Sequence, residues 1–167
     1  LTDDVILVCV ILVDGETGLM HDYKKISEVV KSSKNAHFLV DATQAIGKFK
    51  LDFSYLELVS FAPHKFGGII GSGCLIKRKK TILTPLIHGG ESSSIYRSGS
   101  VPLGIVASIE KALSLAYSKM DENYQKVSVI NKYLIEQIKD NKKIKINSFS
   151  NPYIVNLSID NVLGRIA

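Results

Sequence analysis

The stretch SFAPHKFGG, residues 60–68, puts a lysine where lysines are uncommon. Lys65 follows an apolar run, stands beside His64 and precedes two glycines. An ammonium ordinarily stays in water, on a helix face or a turn. At a strand end the amine can be partly desolvated, and a desolvated amine can add to a carbonyl to form a Schiff base. Asp41 ends another apolar run, HFLVD, and Glu16 follows a third, VILVCVILV. A carboxylate at a fixed distance can keep a pyridinium nitrogen protonated and so maintain an electron sink. If their strands are neighbours, Asp41 and Lys65 point into one crevice. Two readings of the pair stand: a structural ion pair at a sheet edge, or the two groups a pyridine-based cofactor needs. Spacing alone favours the ion pair, because perturbed pairs are often only structural.

These residues need elements to hold them. Residues 5–13 form a continuous β-branched apolar run, as in a parallel strand buried on both faces. Residues 22–34 place Ile26, Val29 and Val30 on one helical face, with Asp22 as N-cap. Strands are expected at 37–41, 57–62 and 72–77, with 42–57 as a crossover long enough for a parallel return. Strands alternating with crossovers predict an α/β sheet, whose ligands lie at the carboxyl ends of the strands. After residue 100 the pattern turns helical, over 103–119 and 121–140. Two short strands, 143–148 and 153–158, follow around the turn signal FSNP.

Composition agrees with a globular, soluble chain: 46% apolar, 22% charged. No apolar run is long enough for a membrane helix, and the N-terminal run lacks a signal peptide's basic flank. The two cysteines, Cys9 and Cys74, lie in strand-like runs and read as small core residues in a reducing, cytoplasmic setting; no metal site is expected. The net charge of +5 collects at KRKK (77–80) and KDNKKIK (139–145). No aromatic residues interleave with these lysines, so solvated turns are expected there and not a nucleic-acid surface. His21 and His37 read as structural.

Three motifs shift the balance on Asp41 and Lys65. VDATQAIGK (40–48), SFAPHKFGGIIGSGCLIKRK (60–79) and PLIHGGESSSIYRSGS (85–100) occur in this order. Together they resemble the class V aminotransferase family, and within it the NifS-like branch of cysteine desulfurases and selenocysteine lyases. The resemblance covers about residues 5–158. It implies the aspartate aminotransferase-like fold of pyridoxal 5'-phosphate (PLP) enzymes, fold type I. Residues 1–100 would be part of the cofactor-binding large domain, 101–120 a connecting helix, and 121–167 the start of a small C-terminal α/β domain. Lys65 matches the lysine that forms the Schiff base with the cofactor. Asp41 matches the aspartate on the pyridine nitrogen, Gln44 the glutamine on the ring's phenolic oxygen, and His64 a histidine at the phosphate. Ser100 matches a residue that reaches the phosphate of the neighbouring subunit's cofactor, which implies a homodimer. His88, Gly89 and Gly90 match the turn leading into that loop. Gly67, Gly68, Gly71 and Gly73 would let backbone approach a bulky ligand.

The implied activity is removal of sulfur from L-cysteine, with a sulfur-acceptor protein as partner and iron–sulfur cluster assembly as the process served. The persulfide-forming cysteine would lie outside this chain, since Cys9 and Cys74 lie in strands. The chain then reads as the central piece of a longer enzyme, inactive alone. Two positions depart from the family pattern. Gly15, in DGETG, stands where the family has an asparagine that touches the phenolic oxygen. Ala62 stands where a serine commonly bonds the phosphate. Each lost hydrogen bond is worth about 0.5–3 kcal/mol. The alternatives are another class V aminotransferase or a selenocysteine lyase, and a degenerate, non-catalytic paralogue that acts as a dimer or scaffold partner.

Overall fold

The computed structural model describes residues 1–90, 94–148, 151–162 and 164. The chain runs β1 (Leu7–Ile11), α1 (Tyr23–Lys31), β2 (His37–Asp41), β3 (Leu58–Phe61), β4 (Cys74–Lys77), α2 (Leu103–Ser118), α3 (Met120–Ile138), β5 (Ile144–Ile146) and β6 (Leu157–Ile159). Short 3-10 turns at Phe53–Tyr55 and Pro63–Phe66 precede and follow β3. Strands β1 to β4 form one sheet in chain order. The first three are parallel, with Val10 opposite Val40 and Val40 opposite Val59; β4 returns antiparallel along β3. Strands β5 and β6 form a separate antiparallel pair.

One face of the large sheet carries the core. Phe38, Val40, Val59 and Phe61 are buried there with Leu12, Ala45, Ile46 and Leu56. Helix α1 covers this face. Asp22 caps it as expected, its carboxylate accepting from Lys25 N (3.2 Å). The buried stripe differs from the expected one: it is Tyr23, Ser27 and Val30, with Ile26 half-buried, while Val29 is 55% exposed. Ser27 can go inward because its hydroxyl donates to the Tyr55 carbonyl (2.6 Å), and Tyr23 because its hydroxyl accepts from Asp52 N (2.9 Å).

On β1 the other sheet face is exposed, although Leu58 of β3 is buried on that side, which corrects the expectation that β1 is buried on both sides. Leu7, Cys9 and Ile11 point outward, and Val8 and Val10 inward. Alternation follows because α1 packs on one face only and β1 is the edge of the four-stranded order. Cys9 is therefore an exposed thiol and not a core residue; Cys74 is half-buried in β4, and burial pushes its pKa up. The run 5–13 also gives a shorter strand than expected. Val13 leaves the ladder to bridge Met20, closing the loop at 14–19.

The KRKK segment closes the end of β4 as a turn. Lys77 Nζ donates to the Thr81 carbonyl (2.9 Å), and Arg78 Nε to the Leu56 carbonyl (2.8 Å). Beyond α2, the expected strand 153–158 shifts to Leu157–Ile159. The first two residues of the FSNP signal, 149 and 150, lie outside the described residues. Tyr153 is withheld from strand pairing by packing: its ring stacks edge-on against Phe49 and Tyr124, at centroid distances of 5.7 and 6.1 Å. None of the described helices is long and apolar enough to cross a membrane.

Candidate active site

The carboxyl ends of β1, β2 and β3 lie side by side, and each hands over to a tight polar segment. After β1, Asp14 organises the loop. Its Oδ1 accepts from Thr17 N (2.6 Å), Thr17 Oγ1 (2.7 Å) and Glu16 N (3.1 Å), and these bonds hold its pKa low. Gly15 stands on this braced loop. A Cβ placed on it would lie 3.5 Å from Gln44 Nε2, an ordinary contact distance.

After β2, Asp41 is exposed, and its Oδ1 accepts from Thr43 N (2.9 Å). Ser60 is its register partner on β3. The two share a shallow hollow of about 250 Å³ with Cys9, Ile11 and Leu39 on the exposed sheet face. The chain then turns through 43–48, packed against α2 at Gly47. There φ is +76°, and a Cβ would fall 2.9 Å from Ala116 Cβ.

After β3, Ala62 begins the 3-10 turn Pro63–Phe66, with Lys65 N donating to the Ala62 carbonyl (3.2 Å). No side chain caps this turn, since residue 62 is alanine. Gly67 ends it with φ of +99°, a conformation that favours glycine. The turn leaves both His64 and Lys65 exposed. Lys65 lines a cavity of about 370 Å³ with Lys48, Phe66, Asn123, Lys126 and Tyr153. Asp41 and Lys65 thus sit at neighbouring strand ends but line different hollows, not the single crevice expected. The reason is the 3-10 turn, which carries Lys65 past the end of β3 toward the 43–48 turn and α3. Ser100 lies apart from both, in a hollow with Ser94, Arg97 and Pro102.

One residue of the cluster was given no role in the sequence analysis. Lys48 closes the VDATQAIGK motif and is half-buried. Its Nζ donates to Gln44 Oε1 (2.7 Å) and stands 5.8 Å from the Tyr153 ring centroid. Burial, helped by the positive charge of Lys65, lowers the Lys48 pKa. The four-residue spacing from Gln44 was the available signal, but it marks neighbours only where the chain turns helically.

His37, expected to be structural, pairs at the opposite end of β2. Its Nδ1 lies 2.7 Å from Glu57 Oε1, which also accepts from Thr81 Oγ1 (2.8 Å).

A lysine on a turn, a carboxylate and an amide thus follow the adjacent ends of two parallel strands, where ligands of such sheets bind. The class V aminotransferase family profile matches residues 1–165, and the chain belongs to that family. It is 32% identical over 170 residues to the cysteine desulfurase IscS of Photorhabdus laumondii, covering 98% of this chain and 42% of the relative. It is 35% identical over 167 residues to the IscS of Buchnera aphidicola, covering 96% of this chain and 41% of the relative. The solved NifS-like protein from Rickettsia africae superposes with a TM-score of 0.88 at 26% identity, over 95% of this chain and 45% of that one. The chain therefore spans less than half the length of the relatives it matches.

Proposed function

We propose that residues 1–167 form part of a cysteine desulfurase-type enzyme in which Lys65 carries pyridoxal phosphate. The observation that carries this reading is the place of Lys65: its amine stands on a glycine-ended turn just past the end of β3 and lines one cavity with Lys48. Two of the residues suit the group, while Lys65 lines a separate hollow. Gln44 Nε2 lies 3.5 Å from where a Cβ on Gly15 would stand, and the Asp41 carboxylate is fixed in direction by the Thr43 amide.

When bound, pyridoxal phosphate supplies an electron sink that acidifies the Cα proton of an amino acid. Asp41 would hold the ring nitrogen protonated, and Gln44 would donate to the phenolic oxygen. His64 would meet the phosphate, and Ser100 would meet that of a second subunit in a homodimer. Lys65 Nζ would hold the group and would take the Cα proton of L-cysteine. The sulfur would go to a cysteine outside this chain, since Cys9, though exposed, and Cys74 are both held in sheet strands, β1 and β4. From there it passes to an acceptor protein of cytoplasmic iron–sulfur cluster assembly. Residues 1–100 belong to the large domain, 101–120 to the connecting helix and 121–167 to the small domain, and the chain by itself is inactive.

Gly15 and Ala62 favour one second reading, a paralogue that keeps the lysine yet binds the cofactor weakly. Titrating the full-length protein with pyridoxal phosphate separates the two. A new absorbance band near the visible edge, lost in Lys65→Ala, supports the enzyme. A protein with no such band at saturating cofactor is the scaffold partner.

A further inference from the structure

We propose that Lys48 is a positioning residue: its ammonium fixes the orientation of the Gln44 amide, so that this chain presents a donor, and not an acceptor, toward the cofactor ring. The inference rests on the assignment of Gln44 to the phenolic oxygen.

The end of a glutamine side chain carries an acceptor oxygen and a donor nitrogen of nearly equal size, and rotation by half a turn exchanges them. An ammonium has three donors and no acceptor. Lys48 Nζ, 2.7 Å from Gln44, can therefore engage only Oε1. Nε2 is left on the other side, facing the position of Gly15. Without Lys48, both orientations of the amide would be open, and one of them would place oxygen against oxygen at the phenolic group.

The placement of Lys48 is otherwise unfavourable. It is half-buried, its ammonium faces the Lys65 charge, and none of the described acidic side chains lines the cavity they share. A lysine serving only packing or solubility would keep its head in water. This one is held inward by the Gln44 oxygen and by the Tyr153 ring, a weak cation–π partner at 5.8 Å. Gly15 makes the orientation matter more: with no asparagine there, Gln44 is the remaining side-chain amide at the phenolic position. The function assigned to Gln44 thus depends on the neighbour that holds its oxygen.

The test is a double-mutant cycle on the full-length protein, read by cofactor dissociation constant and by the pH midpoint of the bound-cofactor absorbance. Gln44→Leu is expected to weaken binding about five- to tenfold, the worth of one hydrogen bond, and to move the midpoint. Lys48→Met should reproduce most of both changes, Lys48→Arg should restore them, and the double variant should be no worse than Gln44→Leu alone. A general loss of structure would show as a lower melting temperature and would not be rescued by arginine. Lys48→Met at wild-type affinity and midpoint, or a double variant whose losses multiply, overturns the proposal while leaving Gln44 and Lys65 in place. If Gln44→Leu has no effect, the proposal falls together with the assignment of Gln44. If Lys65→Ala also binds normally, the cofactor reading itself has failed.

Discussion

Restoring the family's asparagine at position 15 should strengthen cofactor binding without harming the fold. The backbone there is not in the left-handed region, and an added Cβ meets only Gln44 Nε2 at 3.5 Å and Gln44 Cγ at 3.8 Å. Both are ordinary contacts, so a Cβ at position 15 meets no clash. Removing a glycine where its conformation is not required stabilises by about 0.4–1 kcal/mol through the unfolded chain. A second amide beside Gln44 adds one hydrogen bond to the ring, worth about 1 kcal/mol, or roughly a fivefold lower dissociation constant. The matching control is Gly47→Ala. Its φ is +76°, and its Cβ would lie 2.9 Å from Ala116 Cβ and 3.2 Å from Phe66 Cβ. That substitution should destabilise by about 1–3 kcal/mol. Cofactor titration and thermal melting of the three proteins decide the matter. A Gly15→Asn protein that melts lower than wild type, or binds cofactor no tighter, would refute this geometry.

Three further outcomes follow from other contacts. Ala62→Ser supplies the missing cap of the 3-10 turn and should raise stability by about 0.5–1 kcal/mol in denaturant melts, even without cofactor. Burial opposes ionisation of Glu57, but bonds from His37, Phe38 N and Thr81 outweigh it and hold its pKa below the usual glutamate value. Its folded pKa is the lower one, so this stabilisation is present above the unfolded value, near pH 4.5, and fades as pH falls through the folded value. Glu57→Gln should therefore melt lower than wild type at neutral pH, with the gap closing in acid. Tyr153→Ala removes the ring shared by Phe49, Tyr124 and Lys48 and should cost about 1–3 kcal/mol by urea unfolding.

Much of this arrangement was readable from residue order. The β-branched runs, the Asp22 cap and the turn signals place β1, α1 and β2 close to their observed bounds, and two motifs single out Asp41, Gln44 and Lys65. What failed depended on contacts distant in sequence. An apolar run does not reveal which of its faces is covered, so Leu7, Cys9 and Ile11 looked buried. Val29 has the right character for an inward face, yet Ser27 takes that place because Tyr55 offers it an acceptor. Tyr153 lies in a segment that reads as strand, and packing against Phe49 decides otherwise. Lys48 went unassigned because its partner is an amide whose orientation no pattern of residue types can show.

The central claim is that Lys65, and not its neighbour Lys48, is the residue that carries the cofactor. Borohydride reduction of the full-length protein loaded with pyridoxal phosphate makes that link permanent, and peptide mass mapping locates it. The account predicts one phosphopyridoxyl group on the peptide containing Lys65, and none in Lys65→Ala. Labelling centred on Lys48, or spread over surface lysines with no preference for Lys65, would contradict it.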